Sequence, residues 1–182
     1  MTDADDQFEA FVRRYQDMVF ATAVRLLGSP VEAEDVAQTV FLKAFQRFEA
    51  IRHSAAVGGW LKTVTTNACL NHLSRYRARW KFFSELDRPD RHDSDAGFEA
   101  TLVSKSSPAL DMEQAQEHEQ LELALRQLPD HQRVPLVLFH FENISYQAVA
   151  DLLGVSLGKV KTDIHRGREA LRKHLSRSHV SR

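Results

Sequence analysis

The chain has 182 residues, 43% hydrophobic and 27% charged, which is enough apolar material for a core and too much for global disorder. One cysteine, Cys69, excludes an intrachain disulfide, no apolar run approaches the ~20 residues that span a bilayer, and the acidic start from Met1 to Asp6 is no secretion signal. A net charge of −1 argues against a polyanionic partner only on average. Residues 71–83 carry Arg75, Arg77, Arg79 and Lys81 with no acid, residues 85–122 are strongly acidic, and the chain from Gly158 onward is basic again. Two basic patches around an acidic connector suit two contacts with a nucleic acid.

In chain order, Phe8, Phe11, Val12, Tyr15, Val19, Ala23, Leu26 and Leu27 recur at three- and four-residue steps and predict a first helix ended by Gly28. Ser29-Pro30-Val31-Glu32 reads as an N-cap serine, a proline at the first helical position and a glutamate three residues after the cap. Val36, Val40, Phe41, Ala44, Phe45 and Phe48 then stripe a second helix. Ile51 to Gly59 reads as a small-residue loop, and a third helix is expected from near Trp60 to about Phe82. The Pro-, Ser- and Asp-rich stretch around Arg88–Asp95 and Ser104–Pro108 has no period and reads as a linker. Helical pattern resumes at Leu110 and is broken by Pro129. Gln132 to Phe141 predicts another helix, Ser145 to Leu153 a short one, Gly154-Val155-Ser156 a turn, and Leu157 to about Leu175 a longer one. No strand pattern occurs. The expected fold is all-α: an N-terminal unit of residues 1–84, an acidic flexible linker of residues 85–112 and a C-terminal unit of residues 113–182.

Two helices joined by a three-residue turn containing glycine are the helix-turn-helix pattern, whose second helix enters the major groove. Gly154 can take the left-handed conformation, Ala150 allows close packing, and Val149, Leu152, Val155, Val160 and Ile164 supply the shared apolar contacts. Ser156 can cap the second helix and meet a phosphate there. Lys159, Lys161, Arg166 and Arg168 suit phosphate contacts, and Thr162, Asp163 and His165 suit base edges. An ordinary helical hairpin with a solvated basic face fits the same pattern. The third helix carries Trp60, Lys62, Thr65, Asn67, Asn71, Arg75, Tyr76, Arg77 and Arg79. Aromatic rings, amides and arginines at helical spacing suit single-stranded or melted DNA. Trp60 fits a core position equally well, Asn67 and Asn71 fit solvated ones, and Cys69 reads as a buried structural thiol.

The run Glu32-Ala33-Glu34-Asp35-Val36-Ala37-Gln38-Thr39-Val40-Phe41 resembles region 2.2 of the bacterial sigma factors. Gly59 to Asn67 resembles the start of the region 2.3/2.4 helix. Leu125-Arg126-Gln127-Leu128-Pro129 with Arg133 resembles the entry to region 4, and Ile144 to Ala150 with Val160-Lys161-Thr162 and Arg166-Gly167-Arg168 resembles the region 4.2 helix-turn-helix. These cover nearly the whole chain outside the linker, in the family's order. Regions 1.1 and 3 have no counterpart, which is the layout of the extracytoplasmic-function group. The resemblance implies a cytoplasmic transcription initiation factor, associated with the nucleoid when in holoenzyme, with no catalytic activity, cofactor or metal of its own. Its implied partners are core RNA polymerase, through the β′ clamp and the β flap, promoter DNA and an anti-sigma factor, with no membrane insertion. Glu34, Asp35, Gln38 and Phe41 would dock on the clamp helices. The loop 51–59 and the helix after it would capture an unpaired base of the −10 element, and the helix-turn-helix would bind the −35 element as duplex.

Two departures bear on that transfer. The family often has Asp at the position of Asn71 and Arg at that of Ser74, so the melting contact is not fully matched. It often has Arg where this chain has Asp163. A carboxylate there cannot hold a phosphate, but it can accept from cytosine N4 or pair with Arg166 or Lys159. The alternative is a one-component helix-turn-helix regulator, which needs neither the Asp35/Gln38/Phe41 patch nor the Trp60–Arg79 face. The nine histidines show no metal-ligand spacing, and no Gly-rich phosphate loop or nucleophile elbow occurs.

Overall fold

The computed structural model describes residues 3–73 and 108–180, with side-chain surroundings for 6–73 and 115–177. Every regular element among the described residues is a helix, so the fold is all-α as expected. The N-terminal unit holds α1 (Asp3–Leu27), α2 (Pro30–Gln46), the one-turn α3 (Phe48–Ile51) and α4 (Val57–His72); the C-terminal unit holds α5 (Pro108–Arg126), α6 (Asp130–His140), α7 (Tyr146–Leu153) and α8 (Leu157–Val180). Residues 74–107, which include most of the expected linker and the end of the third helix, lie outside the described residues. The last five residues of that linker, 108–112, are helical. Pro108 opens α5, at a helix position its fixed φ suits.

Local signals set most helix ends. Ser29 is the N-cap of α2 and accepts from the Glu32 amide at 3.4 Å, with Pro30 behind it. Ser145 caps α7 through the Ala148 amide, and Gly154 closes α7 in the left-handed conformation at φ 67°. The start of α4 differs from expectation. It begins at Val57, three residues before Trp60, without a side-chain cap. Val57 is buried, so packing rather than capping draws the backbone into helix there.

The N-terminal core forms where α1 crosses α2 and α4, with Val19, Ala23 and Leu26 meeting Val36, Val40, Ala44, Leu61 and Leu70. At one end Phe8, Phe11 and Phe48 make edge-on ring contacts with centroids 5.1 and 5.4 Å apart. Such pairs each add about 0.5–1.5 kcal/mol beyond area burial. Cys69 is buried in this core, and burial, aided by the Glu142 carboxylate, pushes its thiol from 9.0 up to about 12, so it is an inert structural group. In the C-terminal unit α5, α6 and α7 all pack on α8. A Cβ at Gly167 would meet Leu136 Cδ1 at 2.9 Å and the Gln132 carbonyl at 3.2 Å, so glycine sets how closely α8 approaches α6.

Arg133 to Leu138 of α6 are buried without interruption. A helix apolar on all sides needs cover on all sides. Here α8 covers one flank and α1 another. His131 and His140 sit at the two ends of α6, and both are held below the ordinary 6.5. Burial is the main cause for each. Lys159 and Arg166 add to it at His131 against Asp163 and Asp130, and Arg168 adds to it at His140. Because the unfolded chain takes these protons more readily, stability present above pH 6.5 is lost as pH falls through the lowered folded values. Urea unfolding followed from pH 7.5 downward is expected to shift to lower midpoints below 6.5. The His131→Gln/His140→Gln variant is expected to fall off less steeply, and an identical pH dependence in the variant would contradict this assignment.

Candidate nucleic-acid interface

Three surfaces carry the side chains of interest. The first is the helix-turn-helix itself. Ser156 caps α8 by accepting from the Lys159 amide at 3.2 Å. Ser156, Lys161, His165 and Arg166 are exposed and Thr162 is half-buried, so these five share the outer side of the helix. The other three sequence candidates are placed differently. Lys159 and Asp163 are 7% and 4% exposed, and Lys159 Nζ donates to Asp163 Oδ1 at 2.8 Å. Of the alternatives for Asp163, the lysine pairing is the one formed. Burial pushes its carboxyl above the ordinary 3.8 against the pull of Lys159. Arg168 turns inward: its guanidinium donates to Tyr146 Oη at 3.3 Å, meets His140 Nε2 at 3.1 Å and lies over the Phe139 ring. These three residues shape the reader from within instead of facing a groove.

The second surface is on α4. Trp60, Asn67 and Asn71 fall seven and eleven residues apart, which is one helix face. Both asparagines are exposed, and Trp60 is half-buried against the core. Lys62 and Thr65 lie on other faces. Thr65 is fully buried and donates to the Leu61 carbonyl at 2.7 Å, and Lys62 Nζ is 3.7 Å from Glu142 Oε2. Arg75, Arg77 and Arg79 lie outside the described residues.

The third surface was only half legible in the sequence. An open groove of about 810 Å³ runs between α1 and α2. Phe8, Val12, Phe20, Phe41, Leu42 and Phe45 give it an apolar floor, and Gln16, Asp17, Glu34 and Gln38 a polar rim. Glu34, Gln38 and Phe41 of the expected docking patch thus converge, while Asp35 is exposed on α2 but outside the groove lining. Leu42 and Phe45, at 65% and 55% exposure, were missed as site residues. The available signal was an α2 apolar stripe wider than one buried face.

An all-helical chain that presents a helix-turn-helix belongs by fold among the DNA-binding transcription proteins. Comparison with known proteins narrows this. The family model for Sigma-70 region 2 matches residues 11–79, and that for Sigma-70 region 4 matches residues 118–171. The RNA polymerase sigma-H factor of Pseudomonas aeruginosa is 30% identical over 92% of this chain and 86% of its own length. The RNA polymerase sigma-E factor of Streptomyces coelicolor is 31% identical over 93% and 86%, and the ECF RNA polymerase sigma factor SigW of Bacillus subtilis 29% identical over 93% and 89%. The chain belongs to the RNA polymerase sigma factors of the extracytoplasmic-function group. The one-component regulator is accordingly not favoured.

Proposed function

We propose that the α1/α2 groove is the polymerase-docking site, that the Trp60/Asn67/Asn71 face of α4 handles the opened strand of the −10 element, and that the exposed side of α8 reads the −35 duplex. The observation that carries this reading is the groove. It joins a large exposed apolar floor to the Glu34/Gln38 rim on the very helix that resembles region 2.2. Exposed apolar area of this kind on a soluble fold marks a protein-binding surface. Gln38 and Glu34 would fix the register of a partner helix, here the β′ clamp, while Phe41, Leu42 and Phe45 supply the apolar contact. The β flap would take the C-terminal unit. An anti-sigma factor, if the chain has one, competes for the same groove.

At the second surface, extruding a base costs a few kcal/mol. Stacking on an aromatic ring returns about 1–3 kcal/mol per base, and amides at Asn67 and Asn71 can read its edge. At the third, Lys161 and Arg166 hold phosphates while His165 and Thr162 reach base edges near the Ser156 end of α8. Among the described residues no helix is long and apolar enough to cross a membrane. The test is permanganate footprinting of promoter DNA with core polymerase. Thymines around the −10 element should become reactive only when both core and this chain are present, and Asn67→Ala/Asn71→Ala should reduce that reactivity by about tenfold or more. Unchanged reactivity in the double variant would remove α4 from the role.

A further inference from the structure

The described chain is closed on itself. Arg25 of α1 donates to Glu122 of α5 at 2.7 Å and stacks over the Phe141 ring at 4.7 Å. The buried Arg133 of α6 donates to the Leu27 carbonyl at 2.9 Å and reaches that of Leu26 at 3.4 Å. Those are last-turn carbonyls of α1, which lack intrahelical partners and favour a cation. Gly28 makes the fit, because a Cβ there would sit 2.7 Å from the guanidinium carbon. Lys62 of α4 meets Glu142 on the far side of the same seam. The seam is therefore specific and charge-complementary, not incidental contact.

Closure conflicts with the function proposed above. The −35 and −10 elements lie about 25 base pairs apart, roughly 85 Å of duplex. A compact chain of this length has a radius of gyration of roughly 16 Å, so its two ends cannot reach both elements. Residues 74–107 have a contour of roughly 115 Å, so connectivity permits separation. The closed form leaves the α1/α2 groove and the outer side of α8 exposed, and engages Lys62 on α4.

We propose that the seam between α1/α4 and α5/α6 is an autoinhibitory latch that must open before one chain can hold both promoter elements. The idea rests on the reading of α4 and α8 as the two DNA readers. Polymerase-free binding to a full promoter is then reduced by the fraction of chains that are open, and a partner that holds the units apart relieves it. The groove, accessible in the closed form, is where such a partner can dock first.

Arg25 and Glu122 touch neither the groove nor the readers, so they test the latch. In the full-length chain, Arg25→Glu should raise the radius of gyration measured by small-angle scattering. It should also tighten polymerase-free binding to a duplex carrying both elements by about tenfold. The charge swap Arg25→Glu/Glu122→Arg should reverse most of both changes. Arg25→Gln repeats the experiment should Arg25→Glu lower the helix content by circular dichroism. Scattering and affinity that stay at the native values in a folded variant would overturn the latch, as would an expansion that the swap does not reverse. Scattering needs no polymerase, so a chain that opens as expected but never binds core contradicts the polymerase reading and not the latch.

Discussion

Leu42→Asp is expected to weaken association with core polymerase by at least about 100-fold while leaving the fold intact. Leu42 is 65% exposed, so folding gains little from it and surface substitutions of this kind cost within about 0.5 kcal/mol. In a docked complex the same side chain would lie in the groove floor beside Phe41 and Phe45. A carboxylate placed there must be desolvated against apolar groups, and truncating one central anchor already costs 2 kcal/mol or more. About 2.7 kcal/mol corresponds to the 100-fold change. Phe45→Asp is a less clean variant, since the Phe45 ring packs edge-on against Phe8 at 4.9 Å and its loss also costs stability. Titration of labelled core with each protein gives the affinity, and native affinity for Leu42→Asp would mean that the groove is not the docking surface.

Asp163→Ala is expected to destabilise the chain by about 3 kcal/mol, the usual scale for removing one partner of a buried ion pair. Both side chains are nearly inaccessible, at 5% and 6% exposure, and the Lys159 ammonium would keep its burial while losing the carboxylate 2.8 Å away. Conversely, the raised Asp163 carboxyl says that desolvation outweighs the pairing even in the intact protein. Lys159→Met/Asp163→Leu should therefore be close to neutral. Urea denaturation of the single and double variants separates the two effects. A single variant as stable as the parent would contradict the burial argument. The same pair explains why this recognition helix tolerates an acid where relatives often carry arginine: the carboxylate sits inside, where it anchors the first turns of α8.

The caps, the turn and the element order were legible because their causes are local. Ser29 and Ser145 reach amides three residues on, and Gly154 needs only its own left-handed φ. The groove rim was legible through Glu34 and Gln38, whose types fit no buried position. What escaped the sequence depends on distant segments. The partners of Arg133 in α1 lie 106 and 107 residues away, and Arg25 and Glu122 are separated by 97. No periodicity encodes such pairs. Thr65 and Arg168 were read as exposed donors because their types are polar, yet Thr65 satisfies itself on the helix backbone and Arg168 on Tyr146. Polar residue type alone does not tell a satisfied inward group from an outward one.

The central claim is that this chain confers promoter selection on a polymerase that lacks it. Run-off transcription with purified core enzyme on a library of promoter fragments addresses it directly. The account predicts transcripts starting at a fixed distance downstream of one shared pair of sequence elements, and only when the chain is added. RNA synthesis that is indifferent to the chain on every template, together with failure of the two to associate, would contradict it.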